Sequence, residues 1–415
     1  MFRCILLVAI IFSFAQLINC DEGKFDKKEK ALDRIEFNKP IIYKNLLEAK
    51  KRIKNNESVL ILAYQKLIKD AKEELKKGPY SVMSKKLVAK SGNKHDYLSM
   101  GTYWWPNPKT ANGLPYVRKD GLTNPDNIKN TDSRAYNKML RGVNKLCLAY
   151  FFTENEEYAT HAAKLLKTWF LNADTKMYPN LKHAQAIPGI CAGRGIGLID
   201  THSLPKMLEM TLLLNSSKSW TKESQKGLQK WVRKYLNWFL TSKNGKRESI
   251  EKNNHGTYYD YQVLGYAYFL GDRDLMNQYV LKSKKRFTSQ INEKGQQPHE
   301  VKRTLSFTYS CFNLRAFIRI CEYAELVDKN YWDLKKGSVK KAIGYLLKNA
   351  PPDNMENWPH KQIKSIRRRR SYYRVILQII GTKLKEESFL KAAKNIDEDN
   401  VRRKLDYLMY PPKLT

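Results

Sequence analysis

Two short segments carry residue types that acid–base chemistry requires. Asn253-Asn254-His255-Gly256 stands where a loop enters an apolar helical run, and Arg303 to Tyr309 leads into another. An imidazole takes a proton near neutral pH, an amide donates hydrogens to an anion, a guanidinium offers a charged fork, and a phenol can give a proton. Taken singly each is ordinary. An Asn-His pair also reads as a helix cap beside a satisfied histidine, and Arg303 and Tyr309 stand six residues apart with no motif of their own.

Two further segments supply candidate binding groups. Tyr103, Trp104 and Trp105 sit in a loop broken by Gly101, Pro106 and Pro108. Such rings either pack against the domain or present faces on which sugar rings stack through their C–H groups. The second segment runs from His183 to His202 and contains Gln185, Arg194 and a Gly193-Arg194-Gly195-Ile196-Gly197 run. No strand leads into those glycines, so they are no dinucleotide fingerprint. Arg194 can grip a carboxylate or make a structural ion pair. Gln185 and His202 read as core hydrogen bonders or as sugar-binding groups.

The elements that must position these residues are helical. Apolar residues recur at three- and four-residue steps over Ser58–Lys77, Thr131–Phe152, Tyr158–Leu171, Leu204–Leu214 and Lys222–Leu240, and again over Thr257–Leu270, Asp272–Ile291, Phe307–Val327, Val339–Leu347 and Tyr372–Gly381. Thr153-Glu154-Asn155 and Gly271-Asp272 are breaks that join successive helices into hairpins. Alternating strand-type segments are scarce. Paired helices over some three hundred residues, with no fixed-period repeat and no low-complexity linker, predict an all-α fold, an (α/α) toroid, with residues 21–415 as one domain.

The chain has 415 residues, with 76 Lys and Arg against 41 Asp and Glu, a formal balance of +35. So large an excess of base implies a polyanionic partner: nucleic acid, an anionic membrane or an acidic polysaccharide. Residues 1–20 narrow the choice. A basic start at Arg3, an apolar run from Cys4 to Ile18 and an abrupt polar turn at Asp21 form the three-part pattern of a secretory signal peptide. Leu17-Ile18-Asn19-Cys20 also resembles a lipoprotein box, so a membrane contact is expected only through a lipid anchor at Cys20. Export, to the periplasm, the medium or the outer surface, argues against a nucleic-acid partner, and so against reading Arg367 to Arg370 as a nucleic-acid patch. A solvated basic face or a polyanion-attracting rim accounts better for that run. Oligomeric state is not legible.

Four cysteines remain after residue 20, at 147, 191, 311 and 321. The last two share one predicted helix, about 15 Å apart at 1.5 Å per residue, beyond disulfide reach. They read as buried thiols rather than a disulfide framework. The seven histidines are scattered, with no HExxH and no Asp-rich calcium loop, so neither a metal nor another cofactor is expected.

The ordered runs HDYLSMGTYWWPNP, LPYVRKDG, AQAIPG, GRGIGLID, NNHGTYYD, RTLSFTYS and WPHKQI resemble the alginate lyase superfamily over roughly residues 45 to 380. Polysaccharide lyase family 38 is the closer match and family 5 the more distant. The resemblance implies an (α/α) toroid whose central groove binds a polyuronate and cleaves it by β-elimination. It also implies that Asn254, His255, Arg303 and Tyr309 are catalytic. Tyr103, Trp104, Trp105, Gln185, Arg194 and His202 then become substrate-binding candidates. His360, in WPHKQI, stands where the family pattern leads one to expect an aromatic residue and marks a further subsite. In that scheme a phenol, pKa ~10, acts as base only if a cation such as Arg303 lowers it.

Two other readings remain at this point. A glycoside hydrolase on a similar toroid needs two carboxylates flanking the bond, and Asp96, Asp200, Asp260 and Glu300 are the acids near motifs. A non-catalytic lipoprotein that binds acidic polysaccharide also explains the charge and the aromatic loops.

Overall fold

The structure, a computed structural model, describes residues 36–412; the predicted signal peptide, Cys20 included, lies outside the described residues. Thirteen helices carry the architecture: α1 (Tyr43–Lys54), α2 (Ser58–Glu74), α3 (Ser133–Thr153), α4 (Glu156–Leu166), α5 (Leu204–Thr211), α6 (Lys222–Thr241), α7 (Lys243–Glu248), α8 (Asn254–Leu270), α9 (Arg273–Gln290), α10 (Ser306–Leu326), α11 (Val339–Asn349), α12 (Arg370–Leu384) and α13 (Glu387–Asn395). The hairpin breaks behave as their residues dictate. Glu154 ends α3 in the left-handed conformation, and the Asn155 side chain accepts from Glu157 N at 2.9 Å to start α4. Gly271, at φ +71°, ends α8, and Asp272 caps α9 through Leu275 N at 3.1 Å.

Successive helices pack as neighbours: α2 with α3, α3 with α4, α8 with α9, and α12 with α13. A second set of contacts links α3 to α5, α5 to α8, α8 to α10, and α10 to α12. These five form the inner wall of an (α/α) toroid, and the others pack outside them. The C-terminal turn Asp406–Met409 packs on α1 and α2, so the end of the described chain meets its beginning. Asn45 Nδ2 donates to Met409 O at 3.0 Å across that join.

The most central helix is α8, which is buried on every face from Gly256 to Phe269. That is the expected state for a helix apolar all round. Its tyrosines stack with rings of α6 and α10, as in Phe239–Tyr259 and Tyr258–Phe312, with centroids 4.8 and 4.2 Å apart. Among the described residues no helix is long and apolar enough to cross a membrane. Cys147, Cys311 and Cys321 are buried free thiols, and Cys191 is a partly exposed one.

Four short strands sit at one end of the ring. β1 (Leu98–Met100) pairs in parallel with β4 (His183–Ala186), and β2 (Trp104–Trp105) pairs antiparallel with β3 (Val117–Arg118). They are two to four residues long, too short to alternate visibly in sequence. Helix α7 also escapes the periodicity, being a six-residue polar segment.

Candidate active site

A cleft of about 890 Å³ opens where the β segments meet the N-terminal ends of α8 and α10. Seven arginines line it (118, 134, 141, 194, 247, 303 and 369) against two carboxylates, Asp200 and Glu251. A cleft so biased focuses field on an anionic ligand.

Asn254 and His255 occupy the first turn of α8. Asn253 caps it, its side chain accepting from His255 N at 3.0 Å. The positive end of the helix therefore faces the cleft. Gly256 is dictated by crowding, because a Cβ there would stand 2.1 Å from Glu251 O. Glu300, on the single turn Pro298–Val301, accepts from Asn254 N at 2.7 Å and from Asn254 Nδ2 at 2.8 Å. Among the described residues one Nδ2 hydrogen is left over and the buried Oδ1 has no partner. Both are free for a ligand.

His255 Nδ1 lies 2.8 Å from Glu248 Oε1, and Glu248 is fully buried at the end of α7. A carboxylate facing Nδ1 places the ring proton there and leaves the Nε2 lone pair to accept a proton. Burial pushes the Glu248 carboxyl above its usual range, against the attraction of His255.

Arg303 and Tyr309 form a stacked pair, the guanidinium 3.8 Å from the phenol centroid. Arg303 Nε and Nη2 donate to the two oxygens of Asp120 at 3.2 and 2.7 Å, and Thr304 Oγ1 donates to the same carboxylate at 2.8 Å. Burial would raise the Asp120 carboxyl, but these bonds outweigh it and hold it well below the carboxylate range. The turn reaches so close through Gly121, at φ +79°, where a Cβ would meet Thr304 Oγ1 at 2.6 Å. Tyr309 Oη lies 2.7 Å from Tyr103 Oη. Burial and the neighbouring Tyr103 push the Tyr309 phenol up, and the Arg303 attraction does not offset them. The condition set for a base role, a phenol lowered by a cation such as Arg303, is therefore not met. Tyr309 is thereby held protonated near neutral pH.

The binding candidates divide. Tyr103, Trp104, Gln185, Arg194 and His202 line the cleft. Gln185 takes a positive φ of 50° at the irregular β1–β4 pairing. From there it accepts from Arg194 Nε through its backbone oxygen at 3.1 Å and from Nη2 through Oε1 at 2.9 Å. Its own Nε2 donates to Asp200 Oδ1 at 3.0 Å. Arg194 is thereby aimed over the Trp104 ring, 5.7 Å from its centroid. His202 Nδ1 donates to Ile199 O at 2.8 Å, and burial lowers the imidazole to about 4.

Trp105 and His360, expected as substrate-binding residues, do not line the cleft. Alternation along β2 turns Trp105 to the other face, where its Nε1 donates to Leu122 O at 3.0 Å. His360 bonds Tyr345 Oη at 2.6 Å and meets Trp358 edge-on. Its segment serves α10 instead: Ser306 N donates to Lys361 O and Phe307 N to Gln362 Oε1, both at 3.1 Å.

The acids proposed for a hydrolase are each engaged internally. Asp96 accepts from Ser91 at 2.7 Å, Asp200 from Gln185, Ser99 and Tyr97, Asp260 from Arg286 at 2.9 Å, and Glu300 from Asn254. Sequence reasoning assigned no role to Asp120, Glu248 or Arg118, and read Arg369 only as part of a solvated basic face or polyanion-attracting rim. Asp120 and Arg118 lie inside the LPYVRKDG run, which was a usable signal. Glu248 had none.

The sequence profile of the alginate lyase family matches residues 81–358, a span that includes every group just described except His360, Lys361, Gln362 and Arg369. Among solved structures, an alginate lyase from Bacteroides ovatus is similar at 34% identity and a TM-score of 0.85, covering 89% of this chain and 98% of that one. Alginate lyase A1-III from Sphingomonas species A1 is similar in fold, at 15% identity and a TM-score of 0.52, covering 83% of this chain and 94% of that one. A variant of A1-III complexed with a tetrasaccharide matches at 15% identity and 0.53, covering 84% and 95%. Among curated proteins none matches. Profile and neighbour agree over most of the chain, which belongs to the alginate lyase family and is a polysaccharide lyase.

Proposed function

We propose that this lyase is exported and cleaves a polyuronate, of the alginate or glucuronan kind, by β-elimination without a metal ion, leaving 4,5-unsaturated uronate ends. The observation that carries this is the convergence of Asn254, His255, Arg303 and Tyr309 in one arginine-lined cleft. Removing the C5 proton of a uronate adds charge beside a carboxylate that is already negative, so that carboxylate must be neutralised. The spare Asn254 amide hydrogen and the positive end of α8 serve this role. His255 Nε2 takes the C5 proton, the electron pair forms the C4=C5 bond, and the C4–O4 bond breaks. Tyr309, held protonated, donates to the departing O4, and no water is consumed. Arg303 has two donors committed to Asp120, so it positions the phenol rather than gripping substrate. Incubating the purified protein with a panel of acidic polysaccharides and following ultraviolet absorbance tests the reading. Absorbing product from at least one polyuronate is expected, and none from neutral glycans. No such product from any polyuronate would sink it.

A further inference from the structure

Below the cleft a second cavity of about 570 Å³ continues down the axis of the toroid. The two share Asn137, Arg141, His202, Phe312 and Tyr372 in their walls. The descent follows helix periodicity: Asn137, Arg141 and Asn144 on α3, Tyr258 and Tyr261 on α8, Phe312, Arg315 and Arg319 on α10. Lys404, Leu405, Asp406, Met409 and Tyr410 of the C-terminal segment line it as well. Catalysis as proposed above uses none of the groups special to this chamber.

Its charge is not balanced internally. Lys145 is drawn to Glu74 at 3.0 Å, Lys206 to Asp406 at 3.5 Å, and Arg319 pairs with Glu209 and Glu322. Among the described residues Arg141 donates only to the Asn137 carbonyl, from Nε at 3.1 Å, and it is exposed. Arg315 stacks on Tyr372, 4.1 Å from the ring centroid, and among the described residues makes no hydrogen bond or ion pair; the carboxylate that attracts it, Asp406, is already engaged by Lys206. Arg369 reaches the same ring from the cleft side at 5.7 Å, so one phenol at the junction carries two guanidinium groups. A desolvated cation costs free energy unless an anion meets it. Around it stand Tyr258, Tyr261 and Phe312, of which Phe312 is the most exposed.

We infer that this inner chamber is a receptor for the carboxylate of a uronate sugar, held by Arg315 and Arg141 beyond the catalytic centre. The inference rests on the polyuronate lyase reading and deepens it. The occupant is either the end sugar of the substrate chain or the released unsaturated product, and both present the same carboxylate. A guanidinium–carboxylate pair sheltered from water is a strong, directional contact. Its loss corresponds to about a tenfold change in affinity or more.

The test compares wild type with Arg315→Met, Arg315→Lys and Arg141→Gln on defined oligouronates of two to six sugars. Methionine keeps the stem and removes the charge. Arg315→Met should raise KM about tenfold or more on the longer oligomers with kcat changed less than about threefold, and Lys should restore part of the loss. Arg141→Gln, on a different helix, should move KM the same way, which guards against a folding artefact at Arg315. If the substrate end is the occupant, the pattern of product lengths also shifts. If the product is the occupant, inhibition by added unsaturated disaccharide weakens in parallel. The inference is overturned if KM, product lengths and product inhibition all stay at wild-type values in the charge-removed variants while unsaturated product is still released. An absence of unsaturated product from wild type would instead overturn the lyase reading itself.

Discussion

The phenol of Tyr309 lies between a hydroxyl and a cation, and the two pull its proton in opposite directions. Burial decides the outcome, raising the phenol and keeping it a donor. Tyr309→Phe removes only the hydroxyl, so kcat should fall by roughly 10²–10⁴-fold, the usual worth of a positioned acid, with KM nearly kept. Near-normal kcat in a folded variant would reassign the acid. His255 depends on a partner that nothing in the sequence marked. Glu248→Gln puts an amide against Nδ1, favours the wrong tautomer and should lower kcat about 10- to 100-fold with little change in KM. A merely structural Glu248 would lower the melting temperature and leave the pH–kcat profile in place. His202 supplies a stability test. Its folded value of about 4 lies below the ordinary ~6.5, so between those values the unfolded chain binds the extra proton. Stability should therefore fall as pH drops from about 6.5 to 4, by at most about 3 kcal/mol from this group. In His202→Gln, melting temperatures over that range should lose part of the slope. An unchanged slope would mean that other groups carry it.

At the scale of elements, the two-residue strand β2 separates neighbours that look equivalent in the sequence. Trp104 faces the cleft beneath Arg194, whereas Trp105 faces away, with Lys119 5.4 Å over its ring. Trp104→Ala should raise KM about tenfold in a protein that keeps its melting temperature. Trp105→Ala should leave KM within about twofold and lower the melting temperature instead. Equal KM effects from both would show that β2 does not present one face to substrate. The basic run from Arg367 to Arg370 divides in a similar way. Arg367 and Arg368 are exposed, Arg370 pairs with Glu398, and only Arg369 lines the cleft. A solvated face is thus the right description for part of the run.

For the molecule as a whole the dominant fact is charge. A balance of +35, with arginines concentrated in the cleft, creates an attractive field that reaches as far as the Debye length allows, about 10 Å at 0.1 M salt and about 3 Å at 1 M. Apparent KM for a polyuronate should therefore rise steadily with ionic strength, while kcat changes less because the reacting groups are sheltered. Kinetics across a salt series check this, and a KM indifferent to salt would remove the field from the account of binding.

Local chemistry was enough to determine much of this protein. Helical spacing, caps such as Asn155 and Asp272, and the absence of alternating segments place the hairpins nearly where the structure has them. The ordered motifs name the family and put Asn254, His255, Arg303 and Tyr309 forward as candidates. What those motifs could not carry is the pairing of groups distant in the chain. Asp120 meets Arg303 across 183 residues, Tyr103 meets Tyr309 across 206, and Glu300 meets Asn254 across 46. Such contacts arise only when the ring closes and buries its polar groups together. Burial is also what raises the Tyr309 phenol despite the neighbouring Arg303, because desolvation depends on everything packed around a residue and not on the residue's neighbours in sequence. The same holds for His360, whose bond to Tyr345 and packing on Trp358 the sequence did not disclose, and for the inner chamber, which exists only because five separate helices share an axis.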